Sequence, residues 1–262
     1  MLSDPACLGN PPPDDAESMF DPQFWRARNE LQEVTAGRGS AWFIASGGRQ
    51  WVLRHYRRGG FIARLSPDRY VWAGESRVRA FAEWRLLDLM RRRGLPVPRP
   101  VAARYQRSGL LYRCDLITER IVDAQPLSAA LAAGALAESA WRAVGAAVAR
   151  LHHAGIDHAD LNAHNILLDA GGAVSVIDFD RGRLRVTSTA DDAGPLGDAG
   201  PQRGVAGTAE AGALSTWAAR NLERLRRSLA KISRGLPSGR YSARDWQWFM
   251  AGYGAVGGGE AA

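Results

Sequence analysis

The apolar positions along the chain change their period partway. Up to about residue 120 they come in short runs of strand length: Trp42-Phe43-Ile44, Trp51-Val52-Leu53, Leu110-Leu111-Tyr112 and Asp115-Leu116-Ile117-Thr118. Ser46-Gly47-Gly48-Arg49 joins the first two and predicts a hairpin, because paired glycines accept the backbone a tight turn demands. One helical stretch interrupts this region, from Glu75 to Arg93. Ala80, Glu83, Trp84, Leu87 and Met90 fall on one of its stripes, and Gly94 with the prolines at 96, 98 and 100 ends it. From Gln125 on, helical spacing dominates. Ser139 to His153 carries Trp141, Val144, Val148 and Leu151 on one side, and Thr216–Arg234 and Ser242–Ala255 follow as closing helices. The pattern predicts an α+β chain: an antiparallel strand lobe with one helix over 25–120, then a mainly helical lobe over 121–255. Residues 1–24, with three consecutive prolines and several acids, predict a flexible arm. The Gly, Ala and Asp-rich stretch 188–213 predicts a flexible insertion, and 256–262 a tail.

At the junction of the two patterns lies His158-Ala159-Asp160-Leu161-Asn162-Ala163-His164-Asn165, followed thirteen residues later by Asp178-Phe179-Asp180. The spacing suits phosphoryl transfer. Asp160 would accept a hydroxyl proton, while Asn165 and Asp178 would hold a metal against ATP phosphates. The residues between explain the spacing. Ile166-Leu167-Leu168 and Val174-Ser175-Val176-Ile177 read as two strands about a turn at Asp169–Gly172, so a ligand before the hairpin and one after it meet.

Such a site also needs a loop over the phosphates, a cation on them and an acid to orient that cation. Gly37 and Gly39, in Gly37-Arg38-Gly39-Ser40, are the loop candidates, although many Gly-x-Gly runs are only turns. Arg54 ends the strand Trp51-Val52-Leu53-Arg54, where a lysine is usual; guanidinium holds phosphate as well as ammonium does. Glu83 sits inside an apolar stripe, which is costly unless a buried cation pairs with it; Arg54 is the expected partner and Arg79 the alternative. Thr118-Glu119-Arg120-Ile121 closes the strand lobe, and the backbone around Glu119 is the expected adenine contact. His55, Arg57 and Arg58 are expected to face an anionic substrate or solvent. His158 is expected to order the loop through backbone hydrogen bonds; histidines 152, 153, 158 and 164 share no helical face and no cysteine, so zinc is not expected.

Composition narrows the partners. The chain has 262 residues, 46% hydrophobic and 23% charged, with net charge +7, and Lys231 is the sole lysine among 34 basic residues. Arginine favours phosphate-bearing or anionic partners, and a codon bias toward Arg accounts for part of the excess. No aromatic-and-basic platform or helix-turn-helix appears, so nucleic acid is not an expected partner. Cys7 and Cys114 lie far apart without metal spacing and fit a reducing compartment. No apolar run reaches the roughly 20 residues of a membrane span. On the helix from Thr216, Arg220, Arg224, Arg227 and Lys231 share one face opposite Ala218, Leu222, Leu225, Leu229 and Ile232. That basic amphipathic face would suit an anionic membrane surface, with Trp246, Trp248, Phe249 and Tyr253 as an interfacial belt; a helix packed on the core with a solvated basic face is the alternative.

Departures from protein kinases point away from protein substrates. Ala159 replaces the Arg before the catalytic Asp, Asn162 replaces the lysine two past it, Asp180 stands where glycine is usual, and no Ala-Pro-Glu follows Asp178. Taken with Trp51–Gly60, His158–Leu167 and Asn221–Leu229, the chain resembles the bacterial 3-deoxy-D-manno-octulosonic acid (Kdo) kinases of the lipopolysaccharide-core branch of the protein-kinase-like superfamily, over roughly residues 25–250 outside the insertion. The resemblance implies a bilobal kinase fold and Mg²⁺- and ATP-dependent phosphorylation of the Kdo 4-hydroxyl on a lipid A precursor, Kdo-lipid IVA. It also implies action at the cytoplasmic face of the inner membrane and an inherited arginine at position 54. Another sugar acceptor, such as a core heptose or an aminoglycoside-type sugar, and a non-catalytic binding module remain as alternatives; oligomeric state stays open.

Overall fold

The structure is a computed structural model that describes residues 1–4, 17–33, 41–57, 68–185 and 214–256. The strands are β1 (Leu2–Ser3), β2 (Leu31–Glu33), β3 (Ala41–Ser46), β4 (Arg49–His55), β5 (Tyr70–Val71), β6 (Pro100–Ser108), β7 (Leu111–Glu119), β8 (Ala124–Pro126), β9 (Ile156–Asp157), β10 (Ile166–Asp169), β11 (Val174–Val176) and β12 (Arg183–Leu184). The helices are α1 (Pro22–Ala27), α2 (Arg79–Arg92), α3 (Leu127–Ala133), α4 (Glu138–His153), α5 (Thr216–Ser233) and α6 (Ala243–Ala255). Strands β1 to β7 form one antiparallel sheet in the order β1-β6-β7-β4-β3-β2, with β5 also on β7. Helices dominate the rest, so the α+β order of strand-rich then helix-rich halves holds.

Both faces of the large sheet are covered. One face meets α2, and its apolar cluster runs without a break from Tyr56, Phe81, Met90 and Leu116 to Trp141, Val148, Phe179 and Phe249. The other face buries Trp51, Leu53 and Ile117 against Met19, Phe20 and Trp25. Residues 1–4 and 17–24, expected in a flexible arm, are therefore part of the fold: β1 pairs Leu2 with Ala103, and Met19 and Phe20 are fully buried. Without those side chains the outer face would expose a tryptophan and two aliphatics to water, at a cost near 25 cal/mol per Å². Apolar spacing too short to count as an element had hidden this.

The β3–β4 hairpin turns at Gly47 and Gly48, both with positive φ (57° and 75°), as the paired glycines require. Strand β6 was not expected, because the proline series reads as loop; Pro100 occupies its first position, where a missing N–H does little harm. In the helical half α4 and α6 pack so closely that a Cβ on Gly145 would lie 2.0 Å from the Phe249 carbonyl oxygen, and one on Gly252 would lie 2.1 Å from that of Arg142. Phe249 and Tyr253 are buried in this contact, which removes them from an interfacial belt. Among the described residues no helix is long and apolar enough to cross a membrane.

Candidate active site

Alternation along β4 places Trp51 and Leu53 in the outer cluster and turns Arg54 the other way, toward α2. There its guanidinium pairs with Glu83 on α2 and with Asp178 after β11, and donates to the Tyr56 hydroxyl at 3.1 Å. Glu83 is 3% exposed and accepts from three donors: Arg54, the Tyr56 hydroxyl and, at 3.1 Å, the Phe179 amide. That saturation is what a buried carboxylate requires. Burial raises the Glu83 pKa, with the Arg54 charge opposing it. Burial alone would lower the Arg54 pKa, yet Glu83, Tyr56 and Asp178 carry it well above its ordinary value. Arg79, the alternative partner for Glu83, instead grips Asp180 with both arms, Nε to Oδ1 at 2.8 Å and Nη2 to Oδ2. Asp180 thus has a place here that glycine could not fill.

The β10–β11 hairpin forms in the expected register, Ile166 opposite Val176. Its turn is closed by the Asp169 side chain, which accepts from Ala173 N at 2.8 Å, and by Gly172 at φ 83°. Ile177 N donates to Asn165 O at 2.9 Å, which brings the residue before Asp178 onto Asn165. Asp178 itself adopts φ 65°, a left-handed backbone that Asp tolerates better than most residues. The hydrogen bonds of Ile177 and Phe179 hold it from both sides.

His158 governs the loop carrying Asp160. Its Nε2 donates to Ile177 O at 3.0 Å and its Nδ1 accepts from Asp160 N at 3.1 Å, a pattern only the neutral ring can make. Burial lowers its pKa accordingly, and its ring packs on Phe179 at 4.7 Å between centroids. Helix α5 backs the same loop: Asn221 Oδ1 accepts from His158 N at 3.0 Å, and Ser228 Oγ accepts from Ala163 N at 3.3 Å. The Asp160 backbone belongs to this scaffold but its carboxylate does not: it is 65% exposed, with Arg224 Nη1 at 3.8 Å from its Oδ1. Asn165 donates through Nδ2 to Asp160 O at 2.9 Å, which leaves its carboxamide oxygen for another partner. That oxygen and the Asp178 carboxylate, 40% exposed, make the hard oxygen set that Mg²⁺ takes, so the residues present fit such an ion.

The structure thus joins Arg54, Glu83 and Asp178 in one cluster and Asp160 with Asn165 in one loop. Gly37, Gly39 and Arg58 lie outside the described residues. The Glu119 amide is already used, donating to Arg99 O at 2.8 Å, and Arg120 N donates to Gln50 O at 2.9 Å. Those two amides are therefore not free to meet adenine, which leaves the rest of the 118–121 backbone for that contact. His55 also differs from expectation. It points away from Arg54 into a pair with Asp115 (2.6 Å), and that hydrogen bond raises its pKa. Tyr56 was missed, although its place two residues from Arg54 on one strand face was available as a signal. Arg224 was read only as part of a basic helix face.

Comparison with known proteins agrees with this geometry. The description "Lipopolysaccharide kinase (Kdo/WaaP) family" matches residues 22–194. The 3-deoxy-D-manno-octulosonic acid kinase of Xanthomonas axonopodis pv. citri is 46% identical over 216 residues, 82% of this chain and 75% of its own length. The kinase of the same name from Xanthomonas oryzae pv. oryzae is 44% identical over 237 residues, 90% of this chain and 83% of its own. Among solved structures the Cydia pomonella granulovirus kinase PK-1 aligns at TM-score 0.42 and 14% identity, over 68% of this chain and 61% of that one, a likeness too loose to carry an argument. The family match and the two relatives together place the chain in the lipopolysaccharide kinase (Kdo/WaaP) family.

Proposed function

We propose that the chain transfers the terminal phosphoryl group of ATP to the 4-hydroxyl of the Kdo sugar on a lipid A precursor. Residues 25–120 act as the nucleotide lobe and 121–255 as the catalytic lobe. The observation that carries the reading is the meeting of Arg54, Glu83 and Asp178, residues far apart in sequence, beside a loop that presents an exposed Asp160. Kinship with Kdo kinases supplies the acceptor.

In this reading Asp160 accepts the proton of the acceptor hydroxyl as the oxygen attacks phosphorus. Arg54 holds the phosphates through the arm that pairs with Asp178, while Glu83 and Tyr56 keep its other arm fixed. Asn165 and Asp178 would hold Mg²⁺, which supplies charge neutralisation on the phosphate oxygens when bound. Gly37 and Gly39 would cover the phosphates. The acceptor is lipid-linked, and Arg220, Arg227 and Lys231 on α5 are exposed, which supports peripheral docking on the anionic cytoplasmic face of the inner membrane.

The test is incubation of the purified chain with ATP, Mg²⁺ and Kdo-lipid IVA on anionic vesicles, read by mass. One added phosphate on the Kdo 4-position, with co-sedimentation on anionic but not neutral vesicles, is expected. Kdo-lipid IVA left unphosphorylated, whether or not a heptose or aminoglycoside supplied in a parallel reaction gains the phosphate, would overturn the assignment.

A further inference from the structure

Helix α5 carries Arg220, Arg224, Arg227 and Lys231 along one basic row, yet Arg224 differs from its neighbours. The other three are exposed, while Arg224 is half-buried and turned to the loop. Its placement follows from the residues on either side. Asn221 and Ser228, one turn before and one turn after, both hydrogen-bond that loop, and residues three and four apart on a helix share a face. The guanidinium is therefore delivered beside Asp160 by two anchors that are not themselves charged.

What Arg224 does there is incomplete. Its Nη1 lies 3.8 Å from Asp160 Oδ1, inside ion-pair range but beyond a hydrogen bond. Its Nε is buried without a hydrogen-bond partner among the described residues, although its side chain as a whole is 41% exposed. A buried donor left unmatched is costly, and a guanidinium has five N–H groups in a fork that matches a carboxylate. Asn162, where a lysine is usual, brings no charge. Its amide is consumed locally, donating to Asp160 O at 3.0 Å and accepting from His164 N at 2.8 Å. Arg224 is thus the cation beside Asp160, supplied from a different element.

We propose that Arg224 is a specificity residue that binds the carboxylate of the acceptor sugar; this rests on the function proposed above. The acceptor in that reading is a sugar acid, so it brings its own negative charge toward Asp160. Two carboxylates crowded together repel, and each raises the other's pKa, unless a cation stands between them. A neutral sugar would need no such cation. Arg224 occupies the side of Asp160 formed by α5, while the phosphate-side cation, Arg54, is already committed to Glu83 and Asp178.

The experiment compares two acceptors under ATP and Mg²⁺: a Kdo glycoside with its free carboxylate, and the methyl ester of the same glycoside. Wild type favours the acid. Arg224→Gln lowers that preference by about ten- to a hundredfold, through a higher KM for the acid, with ester turnover and the KM for ATP unchanged. Arg224→Lys restores part of the preference, and it also serves if the Gln variant does not fold. Arg234→Gln, at the exposed end of the same helix, leaves the preference intact. Equal losses for acid and ester would overturn the assignment, since Arg224 would then serve Asp160 or the transferred phosphoryl group. A wild type that uses both acceptors equally removes this assignment alone; one that uses neither removes the proposed function and this assignment with it.

Discussion

Arg54 and Asp160 stand on two sides of one site and are held in opposite ways. Around Arg54 the charges are buried and saturated: Glu83 is 3% exposed with three donors, and Arg54 is 25% exposed between two carboxylates. Around Asp160 they are open. The carboxylate is 65% exposed, and its nearest cation is held too far for a hydrogen bond. The physical reason lies in dielectric. A charge withdrawn from water must be paired in fixed geometry or it destabilises the fold, so the buried side is necessarily preassembled. A solvated carboxylate faces no such demand and can wait for a partner. In the function proposed above, the Arg54 side would offer phosphate a rigid cradle, and the Asp160 side an unfinished one that a charged acceptor completes.

If that contrast is right, damage to the two sides differs in kind. Arg54→Met strands Glu83 without its cation, so it costs both stability, about 3 kcal/mol, and transfer, about a thousandfold. Urea unfolding and MgATP titration check the two losses; a variant as stable as wild type would mean that the pair is not buried as described. Arg54→Lys loses less, because ammonium keeps the charge but not the fork.

His152 gives a comparison outside both sides. Its ring is buried in the helical half, with Nδ1 at 2.8 Å from the Tyr253 hydroxyl, and burial lowers its pKa to about 4 from 6.5. A depressed folded-state pKa means that the unfolded chain binds the proton more readily. The stability held above pH 6.5 is therefore lost as pH falls toward 4, by about 3 kcal/mol. Denaturation between pH 7.5 and 4.5 should show wild type losing more than His152→Gln; parallel curves would assign the acid lability elsewhere. The smallest effect is expected from Tyr56→Phe, which removes one of three donors to Glu83: about 1 kcal/mol, with transfer reduced about twofold. A thermal shift checks it, and a thousandfold loss of transfer would make the hydroxyl part of the chemistry.

The buried side was the more legible one in the sequence, for the same physical reason. A carboxylate inside an apolar helical stripe announces that a cation must reach it, and the hairpin between Asn165 and Asp178 announces that they meet. The Arg79–Asp180 pair carries no such signal, because neither residue interrupts an apolar pattern and 101 residues separate them. Arg224 was hidden differently: on a basic row every arginine looks solvated, and only the neighbours Asn221 and Ser228 reveal which one is turned inward. In the fold, strong hairpin and helix periodicities were readable. The packed segments at residues 1–4 and 17–27 were not, since they gain their structure from the sheet they cover.

The separation of the two sides is tested most directly by Asp160→Ala, assayed for MgATP affinity and for phosphate transfer to Kdo-lipid IVA on the same sample. Because Asp160 is exposed and outside the buried cluster, nucleotide affinity should stay within about twofold of wild type while transfer falls about a thousandfold. Transfer that survives the substitution, or nucleotide affinity that collapses with it, would contradict the division of labour between the two sides.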